Sequence, residues 1–359
     1  MQTKYWCLKN DINNEAILQA AKIINAGGTV AFPTETVYGL GADGLSQEAV
    51  EKIFAAKGRP ADNPLILHVA DKKDIYKLAR EVPVCAKLLV EKFWPGPLTI
   101  IFKKEKHIPD AVTAGLDTVA LRMPSNEIAN TLIAVCGVPL AAPSANISGK
   151  PSPTDAKAVQ EDLTGKIDGV IDGGKTLFGL ESTVVDCTTP IPVILRPGSI
   201  TKEQLMQVIE IRDGGLTSEG AKPKAPGMKY RHYAPKAPVY ILSRELSQET
   251  LFAFCQKAQE ENLRIGWIVE NSLLRNLPED VHAYGGWEAD GDLAILAQNL
   301  YLWLRAFDEG KADLVFVRAV PENDLGAAIM NRVCKAAELK VVSHASDLGK
   351  FFQTSVKDL

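Results

Sequence analysis

Residues 212–237 read RDGGLTSEGAKPKAPGMKYRHYAPKA, and this stretch decides how the chain is organised. Gly and Pro punctuate it, and neither the 3.6-residue period of a helix nor the alternation of a strand fits it. It reads as a linker between two folded parts. From Lys222 to Lys236 it carries five Lys and Arg and no Asp or Glu. A tether needs only polarity, whereas a run of cations suits a lid that reaches over a phosphate ligand. The expected organisation is a catalytic domain over 1–211, a linker or lid over 212–237 and a second domain over 238–359. Two domains also fit 359 residues at roughly 100–200 per domain.

Upstream of the linker, NEAILQAAKIINAGG from Asn14 has helical spacing and closes on Gly27 or Gly28. SQEAVEKIFAAKGR is a second helix with Ser46 as its N-cap. TVAFPTET, PLILHVA, LTIIFKK, TVALRMP, PLAAPSAN, GVIDGG, STVVDCT and VILRPGS read as strands, and 71–80, 83–93, 126–136 and 154–161 as helices. Thr201 and Gln204 have capping-box spacing and open a helix to about Ile211. Strands outnumber helices, so a mixed α/β sheet is expected and not a strict βαβ array. Downstream, PVYILS, RIGWIVE and ADLVFVRAV alternate with helices over 248–261, 292–308 and 326–338, which fits a smaller Rossmann-like sheet.

Composition bounds the function. Hydrophobic residues are 46% and charged residues 23%, enough apolar surface for real cores. The net charge of −4 offers no global basic field for nucleic acid. From Pro238 onward there are 12 Lys+Arg against 18 Asp+Glu, and before it 28 against 26, so only the first part is suited to an anion. The six cysteines stand at least 51 residues apart, which argues against a zinc knuckle or a disulfide framework and for reduced thiols. MQTKYWCLKN has no apolar signal region, and no run approaches the roughly 20 apolar residues of a membrane span, so a soluble cytoplasmic protein is expected.

Familiar catalytic signatures do not fit. There is no GxxxxGK[ST] loop and no GxSxG elbow, and the five His never fall within one helical turn of each other, so no protein-built metal site is expected. Gly39-Leu-Gly-Ala-Asp-Gly44 lacks the strand and the acidic residue of a dinucleotide site. What remains is a set of small polar and cationic residues at strand ends. Lys57 and Arg59 flank Gly58 at a helix end, either as favourable C-terminal charges or as two cations for a polyphosphate. Ser144 and Asn146 share one side by period two, either as turn formers or as polar groups facing one pocket. Arg122 ends an apolar strand, either solvated or poised as a carboxylate clamp. Glu181-Ser182-Thr183 and Leu195-Arg196-Pro197-Gly198 repeat the theme.

The ordered set FPTETVYGLGAD, KGRPADNPL, WPGPLT, RMP, PSAN and ESTVVD, continued by RPG, PGMKYRHYAP and LGAAIMNRVCKAA, resembles the YrdC-like family in its long, two-domain form, the threonylcarbamoyl-AMP synthases. It departs from the pattern at Asp324-Leu325-Gly326, where Gly-Leu-Gly is expected. The resemblance implies a twisted mixed-sheet domain with a positive cavity and a smaller Rossmann-like domain. It implies an enzyme that joins L-threonine and bicarbonate or CO2 to AMP with release of pyrophosphate. The product serves N6-threonylcarbamoyladenosine formation in tRNAs reading codons that begin with adenosine. ATP enters as substrate, with Mg²⁺ held mainly by its phosphates and by water.

On this resemblance Thr36, His68, Arg122, the Ala142 backbone and Ser182 contact threonine. Arg59, Asn63, Thr118, Ser144, Asn146, Ser152, Arg196 and Tyr233 contact ATP, and Lys57 and Arg59 are the catalytic cations. A threonylcarbamoyl transferase downstream and a transient contact with tRNA are the implied partners, with no membrane. Two other readings stand beside it. One is an RNA-binding module with a YrdC-like cavity. The other is a carbamoyl-adenylate-forming enzyme of the hydrogenase-maturation type, against which the lack of CxxC pairs weighs. The C-terminal part offers no catalytic motif.

Overall fold

The structure is a computed structural model that describes residues 2–9, 13–214, 233–278, 281–289, 291–308 and 312–352. The central part of the stretch read as a lid, residues 215–232, lies outside the described residues. Two compact units are present. The first holds the chain up to Ser148 and from Ser152 to Gly214; the second holds Gly149–Pro151 and the described chain from Tyr233 on.

In the first unit eleven strands form one mixed sheet: β1 (Lys4–Cys7), β2 (Val30–Phe32), β3 (Gly39–Asp43), β4 (Ile66–His68), β5 (Leu98–Lys103), β6 (Thr118–Arg122), β7 (Leu140–Ala141), β8 (Gly169–Asp172), β9 (Thr183–Asp186), β10 (Val193–Arg196) and β11 (Arg212–Asp213). Their order is β1-β8-β2-β3-β7-β4-β6-β5-β9-β10-β11. β4 and β6 run parallel, β5 runs antiparallel to β6, and β9 lies parallel to β5. Helices cover the sheet where their apolar stripe allows. Asn14–Asn25, capped by the Asn13 side chain, buries Ile17, Ala20, Ala21 and Ile24. Gln47–Lys57 starts on Ser46, whose hydroxyl accepts from the Ala49 amide, and stops at Gly58 in the left-handed region at φ +59°.

Four elements differ from the sequence expectation. β3 is a strand although its Gly residues break the usual strand composition. Its partner explains it: a Cβ on Gly41 would stand 2.6 Å from the Phe32 ring across the β2–β3 pair. β7 is only two residues long, and the helix from the Thr201–Gln204 capping box ends at Met206, well before Ile211. Arg212 and Asp213, read as the start of the linker, instead add β11 to the sheet edge beside β10.

The second unit carries a parallel five-stranded sheet of β12 (Val239–Leu242), β13 (Ile265–Ile268), β14 (Ala283–Tyr284), β15 (Leu314–Arg318) and β16 (Val341–Val342), in the order β14-β13-β15-β12-β16. β14 and β16, two residues each, are too short to show a period in the sequence. Its core is its own, built around Phe254, Trp267, Phe316 and Phe351. Among the described residues no helix is long and apolar enough to cross a membrane.

Candidate active site

Strand alternation in β4, β5, β6 and β9 divides two faces. Leu67, Leu121, Ile100 and Val185 enter the main core, whereas Ile66, Ala120, Ile101 and Val184 form a small separate apolar cluster. Two residues along from that cluster, on the same face, stand His68, Arg122, Thr99 and Ser182. Register makes His68 and Arg122 direct neighbours on the parallel β4–β6 pair. Thr99 and Ser182 share a hydrogen bond of 2.7 Å between hydroxyls. Arg196, opposite Val184, donates from Nε and Nη2 to the Ser182 carbonyl at 3.1 and 3.0 Å and from Nη2 to its hydroxyl at 3.2 Å. Thr118 begins the same face of β6, so by strand geometry it lies about 13 Å from Arg122.

The loop between β2 and β3 closes on this face. The Thr34 hydroxyl donates to the Val37 carbonyl at 2.6 Å and shares a 2.8 Å bond with the Thr36 hydroxyl. Between them Glu35 turns inward, and its Oε1 lies 2.8 Å from Arg122 Nη2, with both side chains 4% exposed. His68 packs edge-on against Phe32, with ring centroids 6.4 Å apart. Burial, then the Arg122 charge, hold its pKa down at about 3, so the imidazole is neutral near pH 7. The Ala142 amide donates to the Ile66 carbonyl at 3.0 Å, which fixes the chain beside β4.

A second cluster forms where helix Gln47–Lys57 ends. The buried Lys57 ammonium donates to the carbonyls of Ser144 and Asn146, each at 2.5 Å, and reaches Asn146 Oδ1 at 3.5 Å. Ser144 Oγ donates to Asn146 Oδ1 at 2.6 Å. Lys57 thus ties the Ser144–Asn146 turn to the helix end. Arg59 Nη2 approaches the carbonyls of Asn63 and Pro64 at 3.4 Å, which places Asn63 beside it. Ser152 Oγ donates to Glu181 Oε1 at 2.6 Å, next in sequence to Ser182. Gly39 bridges to Ser144, so this turn abuts the strand that follows the Thr36 loop.

A family model described as "Telomere recombination" matches residues 22–198, and one described as "Threonylcarbamoyl-AMP synthase, C-terminal domain" matches residues 200–338. The chain is 46% identical to the threonylcarbamoyl-AMP synthase of Bacillus subtilis, over 95% of this chain and 100% of that protein. It is 39% identical to that of Schizosaccharomyces pombe, over 90% and 88%. The chain belongs to the threonylcarbamoyl-AMP synthases. A crystal structure of Pyrococcus abyssi Sua5 complexed with L-threonine matches it with a TM-score of 0.88 at 43% identity, over 95% of this chain and 100% of that one. The two-sheet α/β architecture is therefore that of a long-form threonylcarbamoyl-AMP synthase.

Of the residues singled out in the sequence, the synthase fold brings His68, Arg122, Ser182 and Arg196 onto one face, with the Thr36 loop against it. It brings Lys57, Ser144 and Asn146 into one cluster. Tyr233 is described in the second unit, buried, at φ +68° and stacked on Tyr301 with centroids 5.1 Å apart. Sequence reading passed over Glu35 and Thr99. The signal available for Glu35 was a carboxylate inside an otherwise apolar and hydroxyl-bearing run, Phe32 to Val37.

Proposed function

We propose that this chain makes L-threonylcarbamoyl-adenylate from L-threonine, bicarbonate or CO2 and ATP, releasing pyrophosphate, as the first step of threonylcarbamoyladenosine formation in tRNA. The observation that supports it best is the polar face shared by His68, Arg122, Ser182 and Arg196, with a hydroxyl-rich loop above it. Arg122 offers a guanidinium fork for the threonine carboxylate, and the Thr36 and Ser182 hydroxyls orient the amino acid. His68, kept neutral, adds a polar contact without a second positive charge beside Arg122. The Ala142 backbone completes the amino-acid side.

The chemistry asks for no protein nucleophile. The threonine ammonium gives up a proton, and the amine then adds to the carbon of CO2 with loss of a second proton, or to that of bicarbonate with loss of water, giving an N-carboxylate. That carboxylate attacks the α-phosphorus of ATP, and the bond to pyrophosphate breaks. Such a transfer relies on positioning and charge stabilisation. Arg59 and Arg196 supply cations, while Asn63, Thr118, Ser144 and Ser152 supply polar contacts along the nucleotide. Lys57 adds charge and, through its grip on the Ser144–Asn146 turn, sets the position of both side chains. Mg²⁺ belongs to the nucleotide as substrate: the buried carboxylates Glu35 and Glu181 are already engaged by Arg122 and Ser152. The stretch after Gly214, as far as residue 237, acts as a lid that keeps water from the unstable N-carboxylate and adenylate. The product then passes to a threonylcarbamoyl transferase in the cytoplasm, with tRNA contact at this protein no more than transient.

The test is to supply ATP, Mg²⁺ and bicarbonate with each amino acid in turn and to measure pyrophosphate. Release should depend on threonine, and Arg59→Ala should remove it while the melting temperature holds. Release without threonine, or full turnover in the folded variant, would overturn the assignment.

A further inference from the structure

The Glu35–Arg122 pair is close but poorly made. The charged atoms lie 2.8 Å apart, yet neither oxygen of Glu35, nor Nε and Nη2 of Arg122, forms a hydrogen bond of acceptable geometry. Nδ1 of neighbouring His68 also has no partner. Buried polar atoms are almost always satisfied, because one left without a partner keeps its full desolvation penalty. Outside that one ion-pair contact, Glu35 Oε2, Arg122 Nε and His68 Nδ1 form no hydrogen bond, and three such atoms on the face proposed for the amino acid mark a position built to be completed by a ligand.

The charges define that ligand. An anion alone, drawn to Arg122, would separate it from Glu35 and leave the carboxylate buried without a countercharge. A cation alone would strand Arg122 in the same way. Leaving one buried charge unpaired is strongly unfavourable. A zwitterion with its carboxylate and ammonium on one carbon meets both partners at once and leaves no net charge behind. Resting on the function proposed above, we infer that Glu35 is the ammonium-binding, specificity-determining contact of the site, which selects α-amino acids over hydroxy acids of the same shape. Arg122 takes the carboxylate and Glu35 accepts hydrogen bonds from the ammonium. The unmade bonds of the resting pair become the made bonds of the complex.

The experiment measures binding to the full chain by calorimetry, with L-threonine and with 2,3-dihydroxybutanoate, in which a hydroxyl replaces the amine. The wild-type chain should bind threonine at least tenfold more tightly. Glu35→Gln should weaken threonine at least tenfold and leave the hydroxy acid as tight or tighter, so that the preference collapses; Glu35→Asp, which keeps the charge, should retain part of it. A wild-type chain that binds both acids equally, or a folded Glu35→Gln chain that keeps the full preference, overturns the inference. If Glu35→Gln does not fold, the wild-type ratio and Glu35→Asp decide. Failure of the wild-type chain to bind threonine at all is a different result, because it overturns the proposed function itself.

Discussion

At the scale of single residues, His68 carries a prediction whose sign follows from its surroundings. Its pKa falls from the ordinary 6.5 to about 3 because burial and the Arg122 charge disfavour the imidazolium. Between these values the unfolded chain binds a proton that the folded chain refuses, so stability is full above about pH 6.5 and falls as pH drops towards 3. From pH 7.5 to 5.5 this residue should withdraw about 1 kcal/mol. Denaturant midpoints of the wild-type chain and of His68→Gln, taken across that range, should converge as pH falls; parallel curves would show that His68 titrates normally. Glu35 shows why part of this site was not legible. A carboxylate in a run such as FPTET looks like a solvent-facing turn, because its partner Arg122 is 87 positions away in sequence and only the fold joins them. Arg122, at the end of an apolar strand, carried its own local signal.

At the scale of elements, the RPG turn after β10 is held against the start of β9 by a glycine. A Cβ on Gly198 would stand 2.3 Å from the Thr183 amide nitrogen, 2.6 Å from the Glu181 carbonyl oxygen and 2.6 Å from the Ser182 carbonyl carbon. All three are backbone, so no side-chain rotation relieves the clash. Gly198→Ala should therefore cost about 1–3 kcal/mol. It should also push Ser182 away from Thr99 and Arg196. Misplacement of about 1 Å at a positioning group can cost about 10²-fold in rate. Denaturant unfolding and threonine-dependent pyrophosphate release, measured together, should both fall; intact turnover would show that this turn does not set the site. Elements with a long apolar period, such as Asn14–Asn25 and β5, were legible in the sequence because burial alone dictates them. β3 was not, because its composition answers to the Phe32 ring across the sheet, and β11 was not, because two residues gain strand character only by pairing with β10.

At the scale of the whole molecule, each of the two units has hydrophobic core of its own and its own sheet. A part that holds a complete core should fold alone. Every residue proposed for the amino acid, Thr36, Glu35, His68, Arg122, Ala142 and Ser182, lies in the first unit, whereas Tyr233 lies in the second and the cationic stretch from Lys222 to Lys236 follows Gly214. A fragment of residues 1–214 should thus unfold cooperatively and bind L-threonine within about threefold of the full chain, since RT ln 3 is only about 0.6 kcal/mol and its threonine contacts are unchanged. Synthesis is a different matter. The N-carboxylate is lost to water unless sheltered, so the fragment, without Tyr233 and residues 215–237, should release pyrophosphate at least tenfold more slowly than the intact chain. Calorimetry with threonine and a pyrophosphate assay on the same preparation separate the two. Retained binding with lost synthesis places the sheltering function after Gly214, and a chain lacking only residues 215–232 then separates the stretch from the second unit. Full synthesis by the fragment would reduce that stretch to a tether, and lost binding would mean that the second unit shapes the amino-acid site itself.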